Sequence, residues 1–218
     1  MNTLLHIDSS ADLKRSITRK LSAEFVAAWR SSRSGETVIH RDLVRAPVTV
    51  PGRELFEALA LSPAAKPSEN DRRAIALSNG LTDELFEAEA IVLGVPVVAF
   101  SVPAAFKAWI DQIAANGRAR GSNRQGALKG KKVLIIATVD ADDREAARSF
   151  HEAYLRHALG AFGITDVAYV PVTRPAAHVP GAEALALEEA RVALRATLER
   201  WNVEDGVVLR EEANKAAA

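Results

Sequence analysis

The chain contains no cysteine. Disulfide bridges, thiolate nucleophiles, iron–sulfur clusters and zinc–thiolate sites are thereby excluded. Net charge is lacking as well, with 28 Lys and Arg against 28 Asp and Glu. Nucleic-acid binding generally needs a basic surface, so no nucleic-acid partner is expected. The nearest approach to a basic patch is the run from Arg118 to Arg124. No apolar run approaches the roughly 18 residues of a membrane span, and no membrane partner is expected. The first residues lack the basic segment and the apolar stretch of a secretory signal, so a cytoplasmic location is expected. Internal repeats and linkers rich in glycine or serine are also missing. The 218 residues read as one domain over 1–202 followed by a loose tail over 203–218.

What is present is an alternation of two periods. Short β-branched or aliphatic runs stand at Leu4–Ile7, Thr37–His40, Ala90–Val95, Val133–Ala137 and Val167–Val172. Between them, apolar residues recur at three- and four-residue spacing over Ile17–Ser32, Asp71–Ala88, Ala104–Ala115, Glu145–Phe162 and Ala182–Trp201. Strands alternating with helices of this length imply βαβ units. Ile91-Val92-Leu93 and Val133-Leu134-Ile135-Ile136 are apolar on both faces, as strands buried between helix layers must be. The expected fold class is α/β, a three-layer sandwich with a five-stranded parallel sheet and helices on both faces. Residues 43–66, with Pro47, Pro51 and Pro63, read as a long loop of functional or partner-facing character.

In an open parallel sheet, ligands bind beyond the carboxyl ends of the strands. Three segments fall there. Asp8-Ser9-Ser10 ends the first strand, and Ser16-Ile17-Thr18 opens the first helix. A helix start offers unpaired amides and the positive end of its dipole, and hydroxyls add further donors, so this loop outlines a phosphate cradle. The same residues can also act as ordinary caps. Val95 to Pro103 follows the third strand. Its apolar side chains can pack on a flat ring or bury themselves against a neighbouring helix or subunit. Ala137-Thr138-Val139-Asp140-Ala141-Asp142-Asp143 follows the fourth strand, and its acids can bind a cation or cap the next helix.

Other polar residues form no catalytic signature. His151 and His157 are six apart on a helix and diverge, His6 lies in a strand, and His40 and His178 are isolated. Lys107 and Asp111 read as an i,i+4 ion pair, and Glu87 and Glu89 as solvated carboxylates. No Ser-His-Asp or paired-acid arrangement assembles.

Several stretches then converge on one family. They are Ser9-Ser10 with Ser16-Ile17-Thr18; Arg41-Asp42-Leu43 with Pro47; Val95-Pro96 through Phe100; Phe106 to Asp111; Gly130-Lys131-Lys132; and Tyr154-Leu155-Arg156 with Leu159 to Asp166. From Leu4 to Trp201 the chain resembles the FMN-dependent NADH:quinone oxidoreductases, or azoreductases, of flavodoxin-like fold. The resemblance implies that Ser10, Ser16, Ile17 and Thr18 hold the FMN phosphate. It implies that Pro96, Val97, Val98, Ala99 and Phe100 wrap the ring, and that Thr138, Val139, Asp140 and Ala141 approach its pyrimidine side. In the family these last two loops usually read Pro-Met-Tyr-Asn-Phe and Ser-Arg-Gly-Gly, so this chain has replaced a Tyr, an Asn and both glycines. Implied with the family are NAD(P)H as co-substrate, a small aromatic acceptor, no catalytic side chain, no metal, and a homodimer with the pocket at the interface. Phe56 or Trp109 would reach across from the partner. Three readings stand: a flavin oxidoreductase working by a ping-pong cycle, a flavodoxin-fold protein that has lost the ring site and serves as a non-redox enzyme or binding partner, or a purely structural dimerisation module.

Overall fold

Five aliphatic runs pair in parallel, and the helices between them cover both faces of the sheet they make. The computed structural model describes residues 3–61, 66–141, 145, 147–174 and 181–207. The strands are β1 (Thr3–Asp8), β2 (Thr37–Asp42), β3 (Ala90–Gly94), β4 (Lys132–Asp140) and β5 (Asp166–Arg174). Their spatial order is β2-β1-β3-β4-β5, all parallel. The helices are α1 (Ile17–Ser31), α2 (Arg53–Leu59), α3 (Glu69–Glu87), α4 (Ala104–Ala115), α5 (Ala153–Ala161) and α6 (Ala182–Glu204).

Side chains alternate across each strand, and this alternation divides the core in two. Leu5, Ile7, Leu93 and Ile135 face one layer, with Leu85 of α3, Phe106 and Trp109 of α4, and Leu159 of α5. Leu4, Val92, Leu134 and Ile136 face the other, with Phe25 and Trp29 of α1 and Leu194 and Trp201 of α6. The three-layer α/β sandwich expected from the sequence is therefore the fold. Central strands β1 and β3 are buried along their whole length, whereas edge strand β2 is only partly covered.

Four details differ from the sequence reading. The stretch 43–66 is not all loop, because α2 forms within it and buries Leu55 and Ala58. The helix expected from Glu145 widens into a π-helical turn over Ala147–Glu152. That turn carries His151 inward, where it is fully buried with Nδ1 3.0 Å from the Tyr169 hydroxyl. Burial holds His151 down to about 4, so it is neutral at neutral pH. The last helix continues past Trp201 to Glu204, and Asp205 accepts from Arg33 at 2.7 Å and Lys132 at 2.6 Å. This pairing anchors what read as the start of a loose tail. Trp109, expected to reach a partner, is fully buried in its own core, its ring centroid 5.3 Å from that of Phe106. Pro63, Asp142, Asp143, His178 and residues 208–218 lie outside the described residues.

Other expectations hold. Lys107 donates to Asp111 at 2.7 Å, His157 is exposed while His151 is not, and Glu87 and Glu89 are exposed.

The loop between α4 and β4 closes against the turn after α5. The Leu128 amide donates to the Phe162 carbonyl at 2.9 Å. Gly126 has φ +75°, and a Cβ there would lie 2.1 Å from the Gly163 backbone nitrogen. Gly126→Ala therefore meets both a disfavoured dihedral and a backbone clash. It is expected to cost more than about 2 kcal/mol, measured as the loss in urea-unfolding free energy.

Candidate functional site

The site lies along the carboxyl edge of the sheet, across the ends of β1, β3, β4 and β5. β1 delivers Asp8, and the chain then turns through Ser9 and Ser10 into α1. Ser9 is buried, and its hydroxyl donates to the Gly94 carbonyl at 2.7 Å, which ties this loop to the end of β3. Asp12 accepts from the Lys14 and Arg15 amides at 3.1 and 2.9 Å. Ser16 is the N-cap of α1 and accepts from the Arg19 amide at 3.3 Å. Thr18 is fully buried behind it, with its hydroxyl 3.0 Å from that of Ser16. Capping thus fixes the helix start, and the first amides of α1 remain without intrahelical acceptors by helix geometry.

An ion network holds this loop from behind. Arg19 donates to the Ser10 carbonyl through Nε at 3.0 Å and Nη2 at 2.8 Å. The same guanidinium grips Asp42 at the end of β2 through Nη1 at 2.7 Å and Nη2 at 2.8 Å. Asp8 accepts from His40 at 3.0 Å and from Ser22 at 3.2 Å, with Arg19 3.5 Å away. The His6 ring lies on that of His40, centroids 4.6 Å apart, so His40 is not isolated as its sequence position suggested. Burial pushes the Asp8 carboxyl up. The hydrogen bonds from His40 and His6 and the charges of His6 and Arg19 outweigh that and hold it well below the usual range. The Arg19 hydrogen bond, helped by backbone amides of Arg45 and Val44, holds Asp42 down to about 2 against a burial effect of opposite sign. His6, Asp8 and His40 place ligand atoms within 4.8 Å of one another. Both Asp8 oxygens are already engaged, however, and Arg19 sets a cation beside them that opposes a second one.

After β3 the backbone turns sharply. Val97 donates to the Thr138 carbonyl at 3.0 Å, which binds this loop to β4. Val98 and Ser101 exchange amide hydrogen bonds of 2.9 and 3.0 Å. Between them Ala99 and Phe100 have φ of 46° and 68°. A two-residue turn with both central residues at positive φ is the geometry that Asn-Gly normally fills. Alanine and phenylalanine hold it here at a steric cost. Phe100 is 80% exposed beside the site.

β4 and β5 end together in register at Asp140 and Arg174. Arg174 Nε and Asp140 Oδ1 form an ion pair 2.9 Å apart.

These segments enclose a cleft of about 440 Å³. Of the residues expected from the sequence, Ser10, Ser16, Ile17, Pro96, Val97, Val98, Ala99, Thr138 and Asp140 line it together. Four others do not. Thr18 supports Ser16 from the interior, Val139 is buried in the core, and Phe100 and Ala141 are exposed next to the cleft. The cleft adds Ala11, Asp12, Arg15 and Arg174, which sequence reasoning did not single out. The first three lie inside a loop already flagged. Arg174 carried no local signal, since only the β4–β5 register brings it to Asp140.

Comparison with known proteins follows the same outline. Residues 2–198 match the family described as flavodoxin-like fold. The FMN-dependent NADH:quinone oxidoreductase of Nostoc punctiforme is 36% identical over 208 residues, covering 92% of this chain and 100% of that protein. FMN-dependent NADH:quinone oxidoreductase 1 of Trichormus variabilis is 37% identical over 201 residues, covering 91% and 96%. The crystal structure of an FMN-dependent NADH-azoreductase from Bacillus anthracis in complex with FMN superposes with a TM-score of 0.77 at 16% identity, covering 92% and 99%; at that identity the likeness speaks for the fold. The chain belongs to the flavodoxin-like family of FMN-dependent NADH:quinone oxidoreductases.

Two outcomes test this geometry. Ala99→Gly removes the Cβ from a left-handed position and is expected to raise unfolding free energy by about 1 kcal/mol, read from urea melts. The second concerns acid. The folded-state pKa of Asp42 lies below its unfolded value, so protonation favours the unfolded chain. Its contribution is complete above about pH 4 and is lost as pH falls towards 2. Stability measured between pH 4 and pH 2 should therefore fall less steeply in Asp42→Asn than in the parent.

Proposed function

We propose that this chain binds FMN and passes hydride from NAD(P)H to a quinone-like or azo acceptor in a ping-pong cycle. One observation carries the reading: a single cleft joins an anion-seeking end to an apolar wall. Ser10, Ser16 and the first amides of α1 suit a phosphate, because hydroxyls and the helix dipole attract an anion without a buried countercharge. Ile17, Pro96, Val97 and Val98 suit the face of a flat ring. The volume falls in the range of small-molecule and cofactor sites. Among the described residues, the acids lining the cleft are each paired, Asp12 with Arg15 and Asp140 with Arg174, so neither presents an uncompensated charge to an anionic ligand. The residues present therefore fit FMN. When bound, FMN supplies the two-electron hydride chemistry, and the protein's part is to bind, orient and tune it.

On this reading Ser16 has two roles, capping α1 and lining the cleft. Thr18 fixes the Ser16 rotamer from behind. The backbone of the Val98–Ser101 turn sets the wall height, and the bond from Val97 to Thr138 holds that wall against β4. No side chain is needed as acid or base. A homodimer with the pocket at its interface accords with the exposed apolar residues Val50, Phe56 and Leu61 around α2, and with Phe100 beside the cleft. Of Phe56 and Trp109, Phe56 is then the one available to a partner. Among the described residues no helix is long and apolar enough to cross a membrane.

The test is direct. Purified protein equilibrated with FMN and freed of excess should retain the flavin absorption band, and NADH should bleach it anaerobically. A colourless protein that takes up no added FMN would sink the proposal. Ser16→Ala is expected to weaken FMN binding about tenfold, as loss of a hydrogen bond to a charged group implies, measured by quenching of flavin fluorescence.

A further inference from the structure

The cleft runs along the sheet edge from β1 to β5, three strand spacings or about 14 Å. Its β1 end is the cradle of Ser10, Ser16 and the α1 amides. Its β5 end is Asp140 and Arg174, with the apolar wall between. A ligand whose phosphate sits in the cradle has one direction in which to lay an attached ring: along the wall, towards that pair.

We infer that Arg174 is a positioning residue for the ring end of the cleft, cancelling the charge of Asp140 where a bound flavin must accept electrons. The inference rests on the FMN reading above. The two residues close β4 and β5 as the last register pair. Neighbours in register on parallel strands project to the same face, so both side chains meet at the cleft mouth. The contact is 2.9 Å, and the side chains are 51% and 58% exposed. A pair this exposed contributes little to folding. Its field at the cleft is another matter. A lone carboxylate about 4 Å from a group gaining negative charge, at an effective dielectric of about 20, shifts an equilibrium by more than tenfold. Solvent at this half-open site reduces that shift without abolishing it. Oxidised flavin carries little ring charge, and reduced flavin carries more. Asp140 alone would therefore weaken binding of both forms, the reduced one more, and lower the midpoint potential. Arg174 removes this penalty.

The experiment compares the full chain with Arg174→Gln, Asp140→Asn, the double variant and Arg174→Lys. Each is titrated with FMN by fluorescence quenching, and each loaded protein is equilibrated with redox dyes to obtain the midpoint potential. Arg174→Gln is expected to raise the dissociation constant of oxidised FMN about fivefold and to make the potential more negative. Arg174→Lys should retain most of the parent's affinity and potential. Asp140→Asn should shift the potential the other way. The double variant should return both quantities close to the parent values, which a merely structural role for Arg174 would not produce. Unchanged affinity and potential in Arg174→Gln, with the parent binding FMN, overturn this inference alone. A double variant as impaired as Arg174→Gln also overturns it, because Arg174 would then act independently of Asp140. A parent that takes up no FMN overturns the flavin reading and this inference with it.

Discussion

Arg19 holds the edge of this sheet together. Its planar fork reaches two oxygens' worth of Asp42 and the Ser10 carbonyl at once, and lies close to Asp8. The exits of β1 and β2 and the first turn of α1 are therefore fixed relative to one another by a single side chain. A lysine could not do this, because a point charge cannot grip a carboxylate and a carbonyl in fixed directions. The cradle depends on this bracing from behind. If Ser10 is to present backbone and hydroxyl to a ligand, its carbonyl must be directed elsewhere, and Arg19 takes it. The stacked His6 and His40 and the hydroxyl of Ser22 complete the shell around Asp8, so a carboxylate sits just beneath an anion-seeking loop with its charge already matched.

The same economy of charge recurs across the cleft. The chain as a whole has no net charge, and that balance is reproduced locally. Asp12 is answered by Arg15, Asp42 by Arg19 and Asp140 by Arg174. What is left to select a ligand is a helix dipole at one end and apolar surface along the wall. Such a site discriminates by shape and by the position of a phosphate more than by net charge, as suits a cofactor that alternates between two charge states.

The layers and the strand faces were legible in the sequence because they depend on local periodicity. Ile91 and Val92, or Leu134 and Ile135, read as two-faced and do go to opposite cores. The loop before α1 was legible too, since Ser16 at a helix start has a local meaning whatever its wider role. Less visible was anything decided by pairing at a distance. His40 meets His6, Asp205 meets Arg33 and Lys132, and Arg174 meets Asp140 only because the strand order and register place them there. The short helix α2 was hidden by the prolines around it. The π-helical turn at His151 was hidden because its apolar pattern still looks helical. The divergence at residues 97–99 was plain as letters, but its backbone meaning was not: nothing in Ala99 or Phe100 announces positive φ.

That turn has a consequence for how the protein can change. Its shape is imposed from outside, by the bond from Val97 to Thr138 and the paired amides of Val98 and Ser101, and not by the residues at its tip. The tip residues are passengers on a backbone set elsewhere. Evolution can therefore exchange them, altering what the cleft wall offers to an acceptor, while the wall itself stays where it is. A site whose scaffold is independent of its lining can acquire new substrates one side chain at a time.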